Sequence, residues 1–133
     1  MKTSGFPIVE ASVRTQFEAS HSLPGLGVAE PHSHVWQVRA GWRHEINPHM
    51  GCTKPMQSMQ QDLQALVKKL EGADLSKKFG TLPATSETIA CWIMAHLPAY
   101  WMFVEIEAYS GYRVRVQADA LRAAWAARYQ QIP

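Results

Sequence analysis

Three of the six histidines in this chain fall between Phe17 and Trp42, and their arrangement constrains the fold more than any other feature. The first stands in Phe17-Glu18-Ala19-Ser20-His21-Ser22-Leu23, and the other two in Pro31-His32-Ser33-His34-Val35-Trp36-Gln37-Val38. From Ser12 to Leu23 the residues alternate, with Val13, Thr15, Phe17, Ala19 and His21 on one face and Arg14, Gln16, Glu18 and Ser20 on the other. That two-residue period predicts a half-buried strand. The alternation resumes from His32 to Trp42, with His32, His34, Trp36, Val38, Ala40 and Trp42 sharing a face. Pro24-Gly25-Leu26-Gly27 breaks the chain between the two runs, and so short a break predicts an antiparallel pair. His32 and His34 are two apart and leave the same face of their strand. A suitable register brings His21 alongside. Three imidazoles meeting at one point are the ligand count of a catalytic zinc centre, with a fourth position open. The same histidines also fit ordinary hydrogen-bonded strand positions, and spacing alone does not choose.

Residues 1–10 read as a leader to the first strand. After the second strand, Asn47-Pro48 and Gly51 mark a break. Met56, Met59, Leu63, Leu66, Val67 and Leu70 then recur at helical spacing and predict an amphipathic helix closed near Gly72. A Lys/Gly-rich connection from Asp74 to Pro83 leads to Thr85, which suits the N-cap of a helix over Ser86 to Leu97, with Glu87 in its first turn. Pro98 stops it. Trp101 to Ala108 and Tyr112 to Val116, joined by Ser110-Gly111, read as a hairpin. Asp119 to Tyr129 carries Leu121, Trp125 and Tyr129 at i, i+4 spacing and predicts a third helix. The order ββ-αα-ββ-α, with no linker or repeat, predicts one α+β domain over residues 1–133.

Composition narrows the partners. Thirteen basic and eleven acidic residues give a net charge of +2, without the basic clusters of a nucleic-acid module. No apolar run approaches the ~20 residues of a membrane span, and no export signal opens the chain. Cys52 and Cys91 form no Cys-x-x-Cys motif and read as reduced thiols. A soluble, cytoplasmic protein is expected, with neither nucleic acid nor membrane as partner.

Several segments resemble one family. Phe17-Glu18-Ala19-Ser20-His21-Ser22-Leu23 resembles the F-x-A-x-H-x-L of the 6-pyruvoyl-tetrahydropterin synthases and of the related 6-carboxy-tetrahydropterin synthases. His32-Ser33-His34 resembles their H-G-H. Ala84-Thr85-Ser86-Glu87-Thr88-Ile89-Ala90 is similar to P-T-x-E-N-L-A, and Val104-Glu105-Ile106-Glu107-Ala108 to V-x-V-x-E-T. The resemblance covers residues 12–117, with the four motifs in order. It implies the tunnelling fold (T-fold), a four-stranded antiparallel sheet that three subunits pool into a barrel, two such rings making a homohexamer. It implies zinc held by His21, His32 and His34, a pterin-type substrate anchored by Glu107, and lyase-type chemistry. In such chemistry zinc polarises the oxygens of the substrate side chain and favours proton loss from the adjacent carbon.

The departures from the family fall on proton transfer. The family's catalytic Cys, four residues before H-G-H, corresponds here to Val28. Its D-H pair best matches Asp74-Leu75, so the imidazole is absent. Pro55-Met56-Gln57-Ser58-Met59-Gln60 replaces G-M-V-x-D-F. Glu30, two residues before His32, is a candidate substitute base, and it equally fits an exposed loop carboxylate. His49 and Cys52 lie in a loop that could approach the site, while His44 and His96 read as structural. The expectation is a zinc-dependent enzyme transforming a dihydroneopterin-type substrate with altered proton-transfer residues, by phosphate elimination or side-chain cleavage. The alternative is an inactive zinc- and pterin-binding relative.

Overall fold

The computed structural model describes residues 5–109 and 111–133. Residues 1–4 of the expected leader, and Ser110 of the expected hairpin turn, lie outside the described residues. Strand β1 (Ile8–Leu23) and strand β2 (Val28–Glu45) form a long antiparallel pair with Val13 opposite Ala40, Phe17 opposite Trp36 and His21 opposite His32. Both outrun the alternation in the sequence. Ile8 and Val9 at one end and Val28 at the other are exposed, so no buried face writes a two-residue period there. The connection is a 3-10 turn over Pro24–Leu26, closed by Gly27 at φ 79, whose N–H donates to the Pro24 carbonyl at 3.1 Å. A left-handed closing residue of this kind is where glycine costs least.

Helix α1 (Met56–Val67) continues as a 3-10 turn through Leu70 and buries Met59, Leu63, Val67 and Leu70. Met56, expected on that buried stripe, is exposed at the helix start. A short helix α2 (Leu75–Phe79) interrupts what reads in the sequence as a plain connection. Five residues are too few to display a 3.6-residue period. The helix is marked instead by its cap, the Asp74 carboxylate accepting the Lys77 N–H at 3.2 Å, and by Leu75 and Phe79, which are buried one turn apart. Helix α3 (Ser86–His96) starts as expected, with the Thr85 hydroxyl oxygen accepting the Thr88 N–H at 3.2 Å. Strands β3 (Phe103–Tyr109) and β4 (Tyr112–Gln117) form the hairpin. Helix α4 (Ala123–Gln130) begins later than expected, because Ala118–Ala120 turn as a 3-10 helix first.

The strands form one antiparallel sheet in the order β1-β2-β3-β4, and the α+β architecture agrees with the sequence expectation apart from the extra helix. One face carries Phe17, Trp36, Val38, Trp42, Val104 and Ile106 into a core shared with Leu63, Ile89, Trp92 and Ile93. Burying an aliphatic or aromatic side chain of this size contributes about 1.5–3 kcal/mol. The opposite face carries charge: Glu105 bonds Arg115 at 2.8 Å and lies 3.7 Å from Arg39, and Glu107 lies 3.3 Å from Arg113. Among the described residues no helix is long and apolar enough to cross a membrane.

Candidate metal centre

The pairing register brings the three histidines together. His21 and His32 are direct cross-strand partners, and His34, two residues along β2, pairs with Ala19. All three rings leave the helix-covered face. Their centroids stand 4.5 Å apart for His21 and His32, 5.1 Å for His21 and His34, and 4.6 Å for His32 and His34. One ring nitrogen from each lies within 4.8 Å of the others. Trp36 packs edge-on against His21 and His34, at centroid distances of 5.0 and 5.3 Å. It closes the inner side of the cluster and is itself stacked on Phe17.

Backbone carbonyls set two of the tautomers. His21 Nδ1 lies 2.7 Å from the Ala84 carbonyl, and His32 Nδ1 lies 3.1 Å from the Glu30 carbonyl. A carbonyl only accepts, so each Nδ1 carries the proton and, in a neutral ring, each Nε2 presents a lone pair. Those two Nε2 atoms are 3.0 Å apart. Two facing lone pairs repel, and either a shared proton or a metal ion between them removes the repulsion. Tetrahedral zinc with Zn–N bonds near 2.0–2.1 Å requires nitrogen pairs about 3.3 Å apart. The His21–His32 pair already stands close to that spacing, and His34, whose ring nitrogen lies within 4.8 Å of the other two, turns inward to complete the set. A nitrogen-only donor set also suits zinc, and an N–H···O=C bond behind a ligating imidazole is the usual way such a ring is oriented. The residues fit the ion.

The electrostatics point the same way. Burial, outweighing the Ala84 hydrogen bond and reinforced by His32, lowers the His21 pKa below 6.5. Burial, with repulsion from His21 and His32, lowers that of His34. Both rings therefore favour the neutral form that a metal needs.

Other expected residues are placed differently. Glu30 is exposed on β2, with its carbonyl on the His32 ring. Glu107 is not brought to the histidines. Side chains alternate along β3, so Val104 and Ile106 enter the core while Glu105 and Glu107 face the opposite, charged side, with Glu107 opposite Gln37 and Arg113. Ala108 packs against the core instead. Asp74 caps α2 and Leu75 is fully buried, so the pair matched to D-H is structural. His44 and His49 are exposed, and His96 bonds the Trp92 carbonyl within its own helix.

Tyr109 joins the cluster without any mark in the sequence pattern. An irregularity in the β3–β4 register between Glu107 and Tyr109 brings the Tyr109 hydroxyl to 2.7 Å from His34 Nε2. Its cross-strand neighbour Tyr112 donates to Glu87 at 2.9 Å, which ties the first turn of α3 to the same side. In the sequence Ala84 stands only as part of a motif, although its carbonyl is the His21 acceptor. A backbone group leaves no mark on residue identity, and only the helix cap at Thr85 hints that the segment is held in place.

A sequence model of the 6-pyruvoyl tetrahydropterin synthase family matches residues 10–126. No curated protein sequence matches the chain. Among solved structures, the Caenorhabditis elegans 6-pyruvoyl tetrahydropterin synthase superposes with a TM-score of 0.74 at 18% identity, covering 84% of this chain and 96% of that one. The Plasmodium falciparum protein superposes with a TM-score of 0.67 at 13% identity, over 82% of this chain and 96% of that one. A Plasmodium vivax variant described as a catalytic-residue mutant, glutamate to alanine, gives 0.65 at 13%, over 83% and 97%. Identities this low establish the shared fold, and the sequence match establishes kinship. By that match, and by the four-stranded sheet and helices it shares with these structures, the chain belongs to the 6-pyruvoyl tetrahydropterin synthase family, a family of pterin-metabolising enzymes.

Proposed function

We propose that His21, His32 and His34 hold zinc and that the chain transforms a dihydroneopterin-type substrate there by a lyase-type reaction. The convergence of three imidazoles, two with their tautomers set by carbonyls, is the observation that carries the reading. When bound, zinc supplies Lewis-acid polarisation of the substrate's side-chain oxygens. The protein does the rest. Trp36 keeps the inner side of the cluster free of water, and Ala84 holds the His21 ring. Tyr109 and Tyr112 are exposed aromatics on the histidine side, suited to a flat heterocycle. Glu87, bonded to Tyr112, is a carboxylate on that side able to accept the paired N–H donors of a pterin edge. It takes the role that the resemblance implied for Glu107.

Glu30 is the proposed base. It stands two residues before His32 on β2, and its carbonyl holds the His32 ring. The glutamate named as catalytic in the Plasmodium vivax relative supports a carboxylate in this role. The reading includes a dimer of trimers, each trimer closing its sheets into a barrel. Val28 and the buried Leu75, standing where the family carries its thiol and imidazole, favour a second reading, an inactive zinc- and pterin-binding relative.

Incubation with 7,8-dihydroneopterin triphosphate, followed by fluorescence-detected chromatography of the pterins, separates the two. The enzyme reading predicts turnover, lowered about 10²-fold or more in Glu30→Gln, and substrate binding weakened in Glu87→Gln but not in Glu107→Gln. Binding without turnover across about pH 6 to 9, where a positioned carboxylate or imidazole acts, favours the second reading.

A further inference from the structure

At the end of the sheet far from the histidines, Arg43, His44, Lys54, the Ala99–Met102 loop and the Gln117–Asp119 turn enclose a cleft of about 510 Å³. Arg43 lies nine residues along β2 from His34, about 30 Å of extended chain. The cleft is therefore separate from the metal centre and independent of the function proposed for it. Its walls combine two kinds of surface. Ala99, Tyr100, Met102 and Ala118 are apolar or aromatic, and Lys54 Nζ sits 4.6 Å from the centre of the Tyr100 ring. Arg43 and Lys54 supply charged donors, and no described side chain forms an ion pair with either.

Trp101 adds a third observation. It lines the same cleft, is 1% exposed, and its Nε1–H is the buried side-chain donor without an acceptor among the described residues. Leaving such a donor unmet is unfavourable. The other large buried indoles are satisfied: Trp36 donates to Ala19, Trp42 to Thr53 and Trp92 to Ile132. Guanidinium and ammonium groups only donate, so the complement of Arg43 and Lys54 accepts. Asp119, Gln117, the Tyr100 hydroxyl and, with its Nδ1 donating to the Glu45 carbonyl, His44 Nε2 are the side-chain acceptors among the described lining residues.

We propose that this cleft binds a small organic anion, a carboxylate or phosphate group carried on an apolar body. The anionic group meets Arg43 and Lys54, and the body lies against Tyr100 and Met102. Charge-assisted bonds to the anion supply most of the affinity.

Transverse-relaxation-optimised NMR of the full ¹⁵N-labelled chain tests this, with inorganic phosphate, benzoate and benzylamine as probes and the Trp101 indole signal assigned by its loss in Trp101→Phe. The proposal predicts a saturable shift of that signal with benzoate or phosphate and none with benzylamine. Response to benzoate alone identifies a carboxylate on an apolar body, and response to phosphate alone identifies the phosphate group as the determinant. In Arg43→Gln/Lys54→Gln, both surface changes, the affinity falls about tenfold. The proposal is overturned if neither anion moves the signal, or if the double variant binds as tightly. It is equally overturned if the signal follows protein concentration alone, which would make the cleft a contact between copies of the chain.

Discussion

His21 is held between a carbonyl at Nδ1 and a second imidazole at Nε2, and its surroundings oppose a positive charge. This gives the metal-free protein a pH signature. The folded-state pKa values of His21 and His34 lie below 6.5, so the unfolded chain binds more protons as pH falls through that value. Stability then rises with pH across the window below 6.5 and levels off above it. Urea midpoints of the zinc-free protein, taken from pH 7.5 down to 5.5, should fall with pH, and the fall should be shallower in His21→Gln/His34→Gln. Equal slopes in the two proteins would contradict this. At this scale the sequence was legible where a residue's type carries its role. The histidines stood out because imidazoles two apart on an alternating strand share a face. Glu107 matches its motif by residue type, while strand alternation puts it on the face opposite Val104 and Ile106. Tyr109 was illegible because a register irregularity, which no local residue pattern announces, turns it towards His34.

Among the elements, helix α3 acts on the histidine cluster through its cap. Thr85 starts the helix and Ala84, immediately before it, holds His21. Thr85→Ala should cost about 0.5–2 kcal/mol of stability. It should also weaken metal binding by loosening the His21 acceptor, measurable as a lower thermal midpoint together with a raised zinc dissociation constant. A lower midpoint with unchanged zinc affinity would mean that the cap does not position the ligand. The β2–β3 contact has its own test at Gly41, where an added Cβ would lie 2.7 Å from the Ala11 carbonyl and against the Phe103 ring. Gly41→Ala should destabilise by about 1–3 kcal/mol in denaturant titration. The long helices and the inner halves of the strands were readable because each buries one face. Helix α2 and the outer strand ends were not, since a five-residue helix and a strand exposed on both faces produce no period.

For the molecule as a whole, the edge of β1 is the informative surface. The Arg14 carbonyl, both backbone groups of Glu18 and the Ser20 N–H point away from β2 and are met by Gln60, Glu71, Gly72 and Ala73. The same parity turns the N–H groups of Glu10 and Ser12 outward, where no described residue pairs with them. The uncovered stretch of this edge around Glu10 and Ser12 invites another strand, and the exposed edge of β4 in a second copy is the partner that the proposed barrel requires. Sedimentation should report six chains, reduced to single folded chains in Ser12→Pro, which removes one outward N–H without touching the β1–β2 ladder. A folded single chain in the unaltered protein would contradict the ring.

Whether His21, His32 and His34 hold zinc is decided by metal analysis of purified protein after zinc-replete expression. Close to one zinc per chain is expected, lost in His32→Ala while far-ultraviolet circular dichroism still reports the folded sheet and helices. A content below about one-tenth of the single ion that a three-imidazole centre holds, unchanged in His32→Ala, would contradict it.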